Sequence, residues 1–271
     1  MSVLVVGGTG TVGSRVVAAL RERGTPVRVG ARRDRGDPDH VRFDWSDPAT
    51  FDAALDGADR AFLVAPVGDP EPSALVRPLL ERAGLERAAL LGSSSVEESA
   101  DGFGALYGLL RAHVRVPTVL RPSWFLQNFT GDHLVADGIR DRGEIVSATG
   151  RGRVGFVDAG DIAAVAAHVL LDDVERPGEL VLTGPEALSY DDAAELLTAA
   201  GRPTVHRSVP PAEFAALVAA SGIDPAFAEF LAGLDTAIAD GAEDRVTDTV
   251  ELVTGRRPRG FREVVSAGPL A

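Results

Sequence analysis

The chain has 271 residues, 45% apolar and 25% charged, a balance that suits one large α/β domain or a large and a small one. A formal charge of −13 would repel a phosphate backbone, so nucleic-acid binding is not expected. No run of about 18 apolar residues calls for a membrane span. With no cysteine the chain has neither disulfides nor thiolate metal sites, which fits a cytoplasmic location, and with no lysine its basic side chains are arginines and five histidines.

The first twenty residues read as strand, turn and helix. Val3-Leu4-Val5-Val6 is a short apolar run of the kind found in buried parallel strands. Gly7-Gly8-Thr9-Gly10-Thr11-Val12-Gly13 follows at once, and apolar residues then recur at Val12, Val16, Val17 and Leu20 as the stripe of an amphipathic helix. This order is the opening of a dinucleotide-binding unit. Gly7 permits the tight turn, and Gly10 lets the amides of Thr9, Thr11 and Val12 approach a pyrophosphate. Gly13 allows close packing of a helix whose N-terminus faces the phosphate charge. The same glycines interrupt any leader-like apolar region, so no signal peptide is expected.

Pro26–Gly30 reads as a second strand, ending in Ala31-Arg32-Arg33. At this tip an acidic residue selects the 2′-hydroxyl of NAD, whereas an arginine accommodates the 2′-phosphate of NADP. Arg32, Arg33 and Arg35 precede or flank the first carboxylate, Asp34. NADPH is therefore favoured over NADH, with Arg32 the nearest contact. A solvated loop of mixed charge is the alternative. Val41–Phe43 forms a short third strand. Asp44 at its end is placed to accept from an adenine amino group, and Asp47 to cap a helix starting near Pro48.

Ala61–Val64 is the fourth strand, after which Ala65-Pro66-Val67 turns out over the cofactor. A helix over 74–83 leads to a fifth strand, Ala88–Leu91, ending in Gly92-Ser93-Ser94-Ser95. The strand–helix alternation calls for a doubly wound parallel sheet, and ligands bind outside the carboxyl ends of its strands, where Gly10, Ala65 and Ser93 converge. Ser93, a candidate catalytic residue, and Ser94 either face that site or cap the following segment.

A weakly periodic, glycine-rich segment (101–111) precedes a sixth strand, Val116–Leu120. Asp158 and Asp161 have the spacing of a helix cap and its third-position partner. From Pro177 onward short strands and helices suggest a smaller region. Within it Ser189 and Asp192 form a capping pair, and Phe227, Phe230, Leu231, Leu234 and Ile238 share one helical face as core or pocket lining. The expected division is a Rossmann domain over 1–150, with 156–172 returning to its core, and a smaller region over 173–271.

Three stretches give the chain its resemblance to the NmrA-like group of atypical short-chain dehydrogenases/reductases. They are Val3–Gly13, Thr118-Val119-Leu120-Arg121-Pro122-Ser123-Trp124-Phe125-Leu126-Gln127-Asn128-Phe129, and Phe156–Ala163. The tail Val250–Pro258 is similar to the C-terminal region of that group. The resemblance implies a Rossmann domain with a small C-terminal domain over the cleft, NADP(H) or less often NAD(H) as cofactor, and either reductase or cofactor-sensing members. It also implies that Pro122, Trp124, Phe125 and Asn128 lie near substrate, and an aromatic wall including Phe129 suits a flat, apolar molecule.

Short-chain dehydrogenases of the usual kind rely on a Tyr-x-x-x-Lys pair, which a chain without lysine cannot have. Of its two tyrosines, Tyr107 stands four residues before Arg111, making Tyr107 the candidate proton donor, although a guanidinium is no simple substitute for an ammonium. His40, His113, His133, His168 and His206 show no metal spacing, and no Gly-x-Ser-x-Gly elbow or Ser-His-Asp order argues for hydrolysis.

The expectation is an NADPH-dependent reductase of a quinone, enone, imine or natural-product intermediate. Its alternative is an NADP(H)-sensing binding protein. Dehydratase or epimerase chemistry comes third because it relies on the missing pair. The sequence leaves open whether the chain is a monomer or a homodimer.

Overall fold

A computed structural model describes residues 2–66, 68–69, 71–174 and 178–266. Val67 and Pro177, where a turn and a compositional boundary were expected, lie outside them. In chain order the elements are β1 (Ser2–Val6), α1 (Gly13–Glu22), β2 (Val27–Ala31), β3 (His40–Arg42), α2 (Phe51–Leu55), β4 (Ala58–Val64) and α3 (Pro72–Ala83). There follow β5 (Arg87–Leu91), α4 (Ala105–His113), β6 (Val116–Pro122), α5 (Leu134–Arg142), β7 (Glu144–Ser147), β8 (Arg153–Val154) and α6 (Ala159–Leu171). The rest are β9 (Glu179–Leu182), β10 (Leu188–Ser189), α7 (Tyr190–Ala199), β11 (Val205–Ser208), α8 (Pro211–Ala220), α9 (Pro225–Ala239), α10 (Thr249–Thr254) and α11 (Phe261–Ser266).

The chain forms two compact units. The first comprises Met1–Pro122, Ala159–Leu182 and Leu252–Gly255, the second Ser123–Asp158, Thr183–Glu251 and Arg256–Ala271. This division differs from the expected one, most of all in two stretches. Residues 123–150 belong to the second unit, while β9 adds a strand to the sheet of the first by pairing in parallel with β6. A four-residue strand carries too little sequence signal to reveal which sheet edge it joins.

The first unit is built on a seven-stranded parallel sheet of order β3-β2-β1-β4-β5-β6-β9. Its direction of winding reverses between β1 and β4, the two strands paired at Leu4↔Ala61 and Val5↔Phe62. Val3, Leu4 and Val5 are fully buried because parallel strands are covered on both faces. Helix α1 covers the sheet with Val16, Val17 and Leu20, the stripe expected from the sequence. The weakly periodic segment contains α4, which buries Leu106, Tyr107, Leu109 and Leu110; its glycines obscure that period in the sequence.

The second unit has two small sheets, parallel β7–β11 and antiparallel β8–β10. Its core is aromatic, with the Phe129 ring 5.0 Å from Phe156, 5.8 Å from Tyr190 and 4.9 Å from Phe261 between centroids. Phe129 is fully buried among these rings and so serves as core rather than as the cleft wall expected for it. Helix α7 opens with the expected capping box, Ser189 and Asp192. Helix α9 departs from expectation. It buries Ala228, Ala232, Asp235 and Ile238, whereas Phe230 is 53% exposed and Phe227, Leu231 and Leu234 are half-buried. The small alanines permit close packing on a face that the bulkier stripe does not share.

Candidate functional site

At the carboxyl end of β1 the backbone itself makes the shape. Gly7 has φ +74°, and an added Cβ would stand 3.2 Å from the Val64 side chain at the end of β4. On Gly13 a Cβ would fall 2.2 Å from the Gly7 carbonyl oxygen, so α1 starts as close to the turn as a glycine allows. Gly8, to which the sequence reading gave no role, is constrained too: a Cβ there would meet the Val29 side chain at 2.8 Å. Gly10 and Thr11 are exposed, Thr9 is half-buried and Val12 is buried. Val12 occupies the N-cap position of α1, and no side chain caps the helix. The first amides therefore meet none of the Ser, Thr, Asp or Asn oxygens that usually accept from them, and the positive end of the helix dipole faces outward beside the turn. A turn packed this closely against the uncapped start of a helix fits a diphosphate.

The tip of β2 supplies charge. Arg32, Arg33 and Arg35 are exposed, and none has an ion pair among the described residues. Nearby carboxylates are occupied elsewhere. Asp37 and Asp39 are both held by Arg21, each at 2.6 Å, which keeps Asp37 below its usual pKa. Asp34 accepts from the Gly36 amide at 2.7 Å. The mixed-charge loop given as the alternative thus divides into Asp37 and Asp39, which share Arg21, and a cluster of guanidinium groups with no ion pair among the described residues. Asp44 follows β3 as expected. The Ser46 hydroxyl and amide, at 2.7 and 3.0 Å from its Oδ1, hold its carboxylate below the ordinary range, and Arg32 adds to that effect. Asp47 caps the short 3₁₀ turn Pro48–Thr50.

Ala65 is buried and Pro66 half-buried where β4 ends. A residue that the sequence reading passed over, Trp45, ties this edge to β3, because its indole Nε1 donates to the Val64 carbonyl at 2.9 Å. At the end of β5 the half-buried Ser93 places its Oγ 2.8 Å from that of Ser95, and Ser94 is buried. Tyr107 lies in the core beneath this turn. It is fully buried, and its hydroxyl donates to the Val96 carbonyl at 3.4 Å. Burial raises the phenol pKa, opposed by a backbone hydrogen bond from Ser93. Arg111 is engaged with Glu98 and lies 3.6 Å from Glu179.

Pro122 closes β6 and is buried, whereas Trp124, Phe125 and Asn128 are half-buried in the second unit. There Phe125 bridges in parallel to Val157, and the Val157 amide donates to the Trp124 carbonyl at 2.9 Å. Asp158 and Asp161 are buried around the start of α6, and Asp158 accepts from Arg259 at 3.0 Å.

The second unit also assembles a chain of polar groups that sequence spacing could not reveal. The ring of His206 lies between Asp191 Oδ1 at 2.9 Å and Ser147 Oγ at 2.8 Å, and Ser147 continues to Thr149 at 2.7 Å. These residues resemble a hydrolytic triad in spacing but invert its exposure. Asp191 is 57% exposed and Ser147 only 3%, so the hydroxyl is shielded where a nucleophile must be open. Among the described residues no group of three or more His, Asp or Glu is placed to hold a metal ion, and no helix is long and apolar enough to cross a membrane.

A strand–glycine turn–helix at the reversal of a parallel sheet, with arginines at the neighbouring strand tip, defines an NAD(P)-binding Rossmann protein. Comparison agrees. The NAD dependent epimerase/dehydratase family model matches residues 3–75. An uncharacterised oxidoreductase of Bacillus subtilis is 43% identical over 98% of this chain and 94% of its own length. Agroclavine dehydrogenase of Claviceps fusiformis is 34% identical over 98% of this chain and 96% of its own. The fold matches that of an NADPH-dependent quinone oxidoreductase from Escherichia coli, solved with NADPH, at a TM-score of 0.80 and 21% identity over 97% of this chain and 98% of that one. The chain belongs to the family of these Rossmann-fold oxidoreductases.

Proposed function

We propose that the protein is an NADPH-dependent reductase of the NmrA-like kind, acting on a flat, apolar small molecule such as a quinone, enone, imine or natural-product intermediate. The observation that carries this reading is the pairing of the uncapped, glycine-shaped start of α1 with the unpaired arginines of the β2 tip. NADPH supplies the hydride when bound. Amides over 9–13 hold its diphosphate, Arg32 and Arg33 its 2′-phosphate and Asp44 its adenine, while Ala65, Pro66 and Ser93 border the nicotinamide end. Pro122, Trp124, Phe125 and Asn128 are assigned to the acceptor. Relatives named as dehydrogenases of agroclavine and festuclavine, 34% and 36% identical, support a small-molecule acceptor.

The burial of Tyr107 favours acceptors whose reduction takes its proton from water, since a phenol with raised pKa in the core is a poor donor to an acceptor outside it. Loss of nicotinamide absorbance across a panel of quinones, enones and cyclic imines tests the reading. Turnover of one class with tight NADPH binding is the expected result. Tight binding without turnover on any acceptor would replace it with a cofactor-sensing role.

A further inference from the structure

The tyrosine and arginine at Tyr-x-x-x-Lys spacing have a different use in this fold. The segment after β5 is gripped from three directions within the first unit. All three nitrogens of the Arg121 guanidinium, on β6, are engaged. Nε donates to the Ser93 carbonyl at 3.3 Å, Nη2 to the Ser94 carbonyl at 3.1 Å, and Nη1 to Glu179 Oε2, on β9, at 2.9 Å. Tyr107 donates to the Val96 carbonyl, and Arg111 holds Glu98 while lying 3.6 Å from the other oxygen of Glu179. One carboxylate thus anchors two arginines, and the two arginines with one phenol fix residues 93, 94, 96 and 98.

We propose that Arg121 is a positioning residue: anchored by Glu179, it holds the Ser93–Ser94 backbone in the one conformation that presents the β5 edge to the nicotinamide and acceptor. This rests on the reading of the site as an NADPH site. The chemistry suits the task. A planar fork holds two successive carbonyls and a carboxylate at fixed, widely spaced donor positions, a geometry that a compact ammonium does not reproduce and an apolar side chain lacks. The Arg121 side chain is only 14% exposed, so its bonds are little weakened by water. The turn that it grips stands where parallel sheets bind ligands. By contrast the phosphate cradle on β1 has no side chain in this network, so the clamp separates placement of the reacting end from binding of the cofactor as a whole.

The test uses the full chain with R121Q, R121K and E179Q, NADPH as ligand and menadione as acceptor. In R121Q, amide exchange over 93–98 is expected to speed at least tenfold and the emission of bound nicotinamide to change. Turnover falls at least tenfold while the NADPH dissociation constant stays within threefold. R121K, which keeps the charge and loses the fork, is expected to recover little of that turnover. E179Q, which keeps Arg121 and weakens its anchor, shows the same split at smaller size and carries the test if R121Q does not fold. Unchanged turnover and emission in folded variants would overturn the positioning role while leaving the NADPH reading intact; so would full rescue by R121K, or equal losses of turnover and affinity. A wild-type protein that binds no NADPH would overturn the reading and the positioning role with it.

Discussion

The carboxyl ends of β1 and β5 lie in the same sheet two strands apart, yet they are built in opposite ways. At β1 the backbone has approached itself so closely that side chains are excluded, down to 2.2 Å between a notional Cβ on Gly13 and the Gly7 oxygen. At β5 the backbone is held by side chains from β6 and α4, with Glu179 on β9 anchoring the arginines. The first construction suits a ligand group common to a whole cofactor class, because amides recognise phosphate whatever else is attached. The second can be tuned residue by residue, as the varied end of a reaction requires.

The largest expected effect breaks the first construction. Gly13→Ala forces α1 away from the turn and should raise the NADPH dissociation constant at least about a hundredfold, close to 3 kcal/mol, in a calorimetric titration. Retained affinity would show that the cradle is not the binding site. Next in size, Arg32→Ala should weaken NADPH by about 10- to 100-fold, the worth of a charge-assisted hydrogen bond, and leave NADH within a few-fold. Equal losses for both nucleotides would remove the 2′-phosphate from its role.

The second unit offers the same contrast without a ligand. Burial raises Asp235 to a pKa of about 6, although its Oδ2 accepts from the Ala148 amide at 2.7 Å. The folded value lies above the unfolded one, so the stabilisation is fully present below about pH 4 and is lost as pH rises through about 6. Asp235→Asn keeps an acceptor and cannot ionise. Its unfolding free energy should match wild type near pH 3 and exceed it at pH 8, by up to about 3 kcal/mol. A constant difference across that range would place the titration elsewhere. The smallest effect sharpens the β5 side. Tyr107→Phe removes one bond of the grip, so turnover should fall by less than about tenfold, with no new pH dependence. A loss near a hundredfold would restore Tyr107 as the proton donor.

The strand, the glycine turn, the stripe on α1 and the arginines after β2 were all legible because each is a local pattern within about 35 residues of contiguous sequence. That Asp37 and Asp39 share an ion pair with Arg21 was not legible, since the pairing crosses from α1 to the loop before β3. Phe129 was misjudged for the same reason: a half-exposed neighbour, Trp124, and a fully buried ring read alike in a run of aromatic residues.

The sequence alone determined the parallel sheet, the glycine turn before α1 and the absence of a tyrosine–lysine pair, because periodicity, glycine and composition act over short range. Only the tertiary structure decided that Tyr107 is core, that β9 completes the sheet, and that Arg111, Arg121 and Glu179 meet around the end of β5. A contact such as that of Arg121 with Glu179, 58 positions apart, depends on how strands are ordered across the sheet, and no local pattern encodes that order.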